Sequence, residues 1–193
     1  LEDRHCVQVL SNLRNYRINK KKITLLGDEI SHALGVHHYE TCIQLVSPKA
    51  MRDLNFRFRK KDSSTDVLSF PQLTWKRPLK VLKHDAIPSK RHIMNRMPLG
   101  DIVISLDDAA ENATESGHGL DREVCFLLVH GFLHLVGHDH MKSNEKRLMF
   151  TQQDKLMDLL TKKSKADKKP LWNQCAAKLN KNSPSKRTTK HHG

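Results

Sequence analysis

Residues 124–140 read VCFLLVHGFLHLVGHDH. Through Val136 only two side chains are polar, His130 and His134. A helix that is apolar all round is a buried helix. Two imidazoles inside it must find partners, because an unsatisfied buried polar group costs about 1–3 kcal/mol. At positions i and i+4 they share one face, with Cβ atoms about 5–6 Å apart. That lets both rings reach a single ion at about 2.0–2.1 Å. Gly137 then stands where a helix prefers glycine, just past its end. A turn there returns His140 over the same face. Three nitrogen donors with an open fourth position form a catalytic zinc pattern, whereas structural zinc is usually closed by four protein ligands. The spacing therefore predicts one Zn2+ per chain on His130, His134 and His140. His138 points elsewhere, to the surface or to a supporting position behind the ligands. Asp139 has three readings: it orients a ligand imidazole, handles protons, or simply makes the turn.

One neighbouring position separates two chemistries. Zinc peptidases of the HExxH type carry their general base, a glutamate, directly after the first histidine. Here that position is Gly131. The metal cage lacks the proteolytic base, which argues against a peptidase.

Working outward, residues 4–11 read as a short strand, and 22–35 as an amphipathic helix ending at Gly35. Residues 41–47 are strand-like. Pro48 suits the first turn of a helix through 49–58. Strands follow at 66–70, stopped by Pro71, and at 101–106. Helices are expected at 107–116, 121–136 and 143–160. This mixture gives an α+β fold: a small mixed β-sheet with helices packed on one side, a zincin-like metal-binding helix, and a single domain over residues 1–160.

The chain has 193 residues and a net charge of +13. The charge is concentrated. Residues 161–193 carry +9 and 71–98 carry +6, leaving the rest at −2. Four of the seven prolines lie in 71–98, so that segment reads as a long basic loop. Residues 161–193 are rich in Lys, Ser and Asn and read as a disordered basic tail. Both are either solvated decoration or a polyanion-binding device, with nucleic acid ahead of an anionic membrane. No apolar run approaches the roughly 20 residues of a membrane span. The opening LEDRHCVQVL carries charge before any apolar stretch, unlike a signal peptide. The four cysteines show no CxxC spacing and read as reduced, intracellular thiols.

Three motifs together resemble the YbeY family of metal-dependent endoribonucleases: HGFLHLVGHDH (130–140), RKKDSSTDVLSFP (59–71) and LGDIVIS (99–105). The resemblance spans about residues 5–160. It implies zinc held by His130, His134 and His140, with Arg59 facing the metal and contacting phosphate. It assigns Asp62, Asp66 and Asp101 to motif positions that fix strand ends and turns. The implied activity is single-strand cleavage of RNA near the 3′ end of small-subunit ribosomal RNA, with a part in ribosome quality control. The implied partners are the small ribosomal subunit and its assembly factors, not a membrane. The compartment would be the bacterial cytoplasm or an organelle matrix. The expected general base is a metal-held hydroxide, Asp139 or the RNA 2′-hydroxyl. Two other functions compete: a zinc metallopeptidase, and a non-catalytic assembly factor that uses zinc to hold its fold. The longer 71–98 connection and the extra tail depart from the family pattern.

Overall fold

A computed structural model describes residues 5–82, 96–162 and 175–179. Four strands form a mixed sheet in the order β1-β3-β5-β4: β1 is Val7–Ser11, β3 Tyr39–Val46, β4 Val67–Pro71 and β5 Met97–Ser105. β1 and β5 run parallel to β3, while β4 is an antiparallel edge strand on β5. The helices are α1 (Lys20–Ala33), α2 (Pro48–Arg59), α3 (Leu106–Glu115), α4 (Leu120–Leu135) and α5 (Ser143–Lys162). Asn19 caps α1 by accepting the Lys22 N–H, and Ser47 caps α2 by accepting the Ala50 N–H. Among the described residues no helix is long and apolar enough to cross a membrane.

Strand alternation divides the apolar side chains between two faces. Ile43, Leu45, Ile102 and Ile104 join α1, α4 and α5 in the main core. Leu68 and Val103 face the other way and meet Met51 of α2 in a smaller cluster. The helices thus occupy both faces, not the single side expected. β4 and β5 each carry apolar residues on both faces, and α2 covers the second.

Glycine is required in LGDIVIS. Glu40 pairs with Pro98 and Thr41 with Gly100, so Leu99 is an extra residue in β5. Gly100 takes φ +148, and a Cβ there would stand 2.5 Å from the Phe70 carbonyl oxygen.

Two segments differ from their sequence reading. Within 161–193, expected to be disordered throughout, Ala176–Lys178 forms β6 and pairs antiparallel with β2 (Tyr16–Ile18). Cys175 is fully buried in the main core. The few apolar residues of that stretch suffice because Tyr16 and the Asn19 N–H offer a ready-made edge. Composition averaged over the whole stretch hides such a short patch. The rest of the tail, 163–174 and 180–193, lies outside the described residues.

Within 71–98, residues 72–82 form no regular element yet pack closely on α4. Leu73, Trp75, Leu79 and Val81 lean on the main core. Residues 83–95 lie outside the described residues. All four cysteines are free thiols.

Candidate metal centre

α4 carries the first two histidines, and its end is satisfied carbonyl by carbonyl. The last four C=O groups of a helix need partners from outside its regular ladder. Here Gly137 N–H donates to His134 O at 3.1 Å and His138 N–H to Leu133 O at 2.9 Å. With Gly137 at φ +90, this is a Schellman turn. The Leu135 carbonyl accepts Trp75 Nε1–H at 2.8 Å, and Val136 O accepts the Leu79 N–H at 3.1 Å. The start of the basic loop therefore caps the metal-binding helix, a role its charge and prolines do not reveal.

The turn returns His140 as predicted. Side-chain nitrogens of His130, His134 and His140 all lie within 4.8 Å of one another. The rings of the first two are held from behind. His130 Nδ1 is 3.1 Å from Gln153 Oε1, and His134 Nδ1 is 3.0 Å from the His138 carbonyl. An acceptor at Nδ1 places the proton there and leaves Nε2 a bare lone pair. The two Nε2 atoms then face each other at 3.2 Å. Facing lone pairs repel unless a cation sits between them. Two ligands at tetrahedral angles about a zinc would be about 3.3 Å apart, so this pair has the spacing of two donors to one ion, and His140 lies close enough to be a third.

Electrostatics favour neutral imidazoles here. Burial pushes His134 down to about 4, and the neighbouring His130 and His140 add to the effect. His130 is lowered by burial too, partly opposed by its bond to Gln153. A metal needs the neutral ring.

The remaining sequence candidates separate. His138 is buried, its Nε2–H donates to the Leu79 carbonyl, and its own carbonyl holds His134. It is a support, not a surface group. Asp139 is exposed, and its Oδ1 accepts the His140 N–H at 2.7 Å, which fixes the turn that carries the third histidine. Arg59 is the exposed last residue of α2, and its guanidinium makes no hydrogen bond or ion pair with the described residues. Asp62 binds Arg52 through both oxygens, at 2.7 and 2.8 Å. Asp66 accepts the Val67 N–H and Asn112 Nδ2–H. Asp101 is half-buried, and burial raises its pKa.

Gly131 now has a steric reason. A Cβ there would meet Ile102 Cγ2 at 2.8 Å. α4 lies so close to β5 that any side chain at this position must displace Ile102. Gln153 is the functional residue the sequence reading missed. Its signal was faint: one of two adjacent glutamines on the side of α5 that also buries Met149, Leu156 and Leu160.

A family model described as Endoribonuclease YbeY matches residues 10–161. An Endoribonuclease YbeY of Caldanaerobacter subterraneus subsp. tengcongensis is 37% identical over 150 residues, 78% of this chain and 89% of that one. That of Aquifex aeolicus is 36% identical over 159 residues, covering 82% and 93%. The solution structure of TM1509 from Thermotoga maritima matches with a TM-score of 0.52 at 22% identity, over 84% of this chain and 94% of that one. This last likeness supports the α+β fold.

Proposed function

The chain belongs to the YbeY endoribonuclease family, and on that premise we propose that it is a zinc-dependent endoribonuclease of single-stranded RNA. Its role would lie in 3′-end maturation of small-subunit ribosomal RNA and in ribosome quality control, with the small subunit and its assembly factors as partners. The compartment proposed is bacterial cytoplasm or an organelle matrix. The observation that carries the reading is the convergence of two back-bonded imidazoles and a third on one point.

His130, His134 and His140 would hold the zinc. When bound, the ion supplies Lewis-acid polarisation of a phosphoryl oxygen and a lowered pKa for water. Gln153 and the His138 carbonyl keep the first two rings in the ligating tautomer. Arg59 is proposed to pair with the non-bridging phosphate oxygens as charge builds on them. Its support is an exposed guanidinium that no described carboxylate neutralises. Asp139 keeps one oxygen on the His140 N–H and offers the other to a proton in solvent. The Ile102 contact at Gly131 counts against the peptidase reading.

The test is incubation of zinc-loaded and chelator-stripped protein with single-stranded RNA and with casein. Cleavage of RNA alone, by the loaded protein alone, is expected. Casein cleavage selects the peptidase, and no cleavage of either selects the assembly factor. His134→Ala should lose most of the zinc. Arg59→Ala should keep it and slow single-turnover cleavage at saturating RNA.

A further inference from the structure

The end of α2 exposes aromatic surface inside a run of cations. Phe58 is 56% exposed. Its ring meets Phe70 of edge strand β4 edge-on, centroids 5.0 Å apart. The Arg57 guanidinium carbon lies 5.3 Å from the Phe58 ring centre. Arg57, Arg59, Lys60 and Lys61 are all exposed. The next carboxylate along the chain, Asp62, is occupied by Arg52. An aromatic ring more than half exposed, with one cation over it and others beside it, matches the two halves of a single-stranded nucleic acid, stacked base and phosphate.

Successive residues of a strand point to opposite faces. Phe70 joins the α2 cluster, while Ser69, one residue earlier, sets its Oγ 3.4 Å from the Gly131 carbonyl of the metal-binding helix. The aromatic pair and the histidines thus lie on two sides of one edge strand. We propose that Phe58, braced by Phe70 and flanked by Arg57 and Arg59, is a stacking platform for an unpaired base of the RNA that enters the metal site. This rests on the endoribonuclease reading and names how its substrate is gripped. The carboxylate of Asp101, opposite Phe70 in the β4–β5 register, has no hydrogen-bond partner among the described residues. Directly opposite residues share a face, so its carboxylate lies beside the platform and suits a base N–H. A duplex hides its base faces in the stack, so the platform selects single strands.

The test is fluorescence anisotropy on the zinc-loaded protein with 2′-O-methyl oligouridine of about 12 nucleotides and an abasic strand of equal length, each checked intact by gel. Phe58→Ala should bind oligouridine roughly tenfold more weakly with an unchanged salt slope. Phe58→Leu keeps an apolar contact with Phe70 but no aromatic face, and should weaken equally. Phe58→Trp should bind as well as wild type. On the abasic strand all four proteins should bind alike. Arg57→Ala should reduce the salt slope by about one. The platform is overturned if Phe58→Leu binds oligouridine like wild type, or if its loss persists on the abasic strand. RNA cleavage by the wild type is scored separately. Cleavage with normal binding by Phe58→Leu removes the platform and leaves the nuclease. Base-dependent binding without cleavage removes the nuclease and leaves the platform.

Discussion

Gln153 is the support of the metal centre that mutagenesis can reach, because the other Nδ1 acceptor is a backbone carbonyl. Replacing it with leucine removes Oε1, 3.1 Å from His130 Nδ1, at nearly constant volume and with burial retained. His130 then loses its fixed tautomer, and part of its population carries the proton on Nε2, where the metal should bind. Loss of such an outer hydrogen bond typically costs 10–100-fold in metal affinity, or about 1.4–2.7 kcal/mol. The buried imidazole nitrogen left alone adds about 1–3 kcal/mol against the fold itself, so affinity should be measured well below the melting temperature. The assay is competition with a fluorescent zinc chelator at pH 7. Gln153→Leu should raise the zinc dissociation constant about 10–100-fold. Gln153→Glu, which restores an acceptor and makes the ring more basic, should match or exceed wild type. Wild-type affinity in the leucine variant would refute the reasoning, since packing alone would then orient His130.

Gly131→Ala should destabilise the protein by about 1–3 kcal/mol through overpacking on Ile102, a fall of about 2–4 °C in melting temperature per kcal/mol, and Gly131→Glu should yield no casein hydrolysis. Removing residues 163–193 takes Cys175 out of the core and strips β6 from β2, so thermal melting should drop by several degrees, which a tail disordered throughout would not do. The folded His134 sits near 4, below its ordinary value of 6.5. Its contribution to stability is therefore present above about pH 6.5 and lost as pH falls toward about 4. Chemical denaturation of the metal-free protein at a series of pH values should show stability rising across that window, and a flat profile would contradict a buried neutral His134.

The histidine triad was legible because all three members lie within eleven residues, where helix periodicity and one glycine fix their relation. What holds the triad was not legible, because it comes from far along the chain. Gln153 reaches His130 from α5, Leu79 reaches His138 from the basic loop, and Trp75 closes the end of α4. Each is one polar contact to a partner that local pattern cannot name. The same logic explains β6. Three residues carry too little apolar content to stand out in a basic tail, and their strand exists only because β2 presents an edge. Gly131 shows how one residue serves chemistry and packing together. Read alone, it was a missing base. In the structure it is the close approach of α4 to Ile102, so the spacing that brings the histidines over the sheet also disfavours the glutamate a peptidase would need. The helix–sheet contact thus works against a side chain at 131, and installing a peptidase base there would first have to displace Ile102.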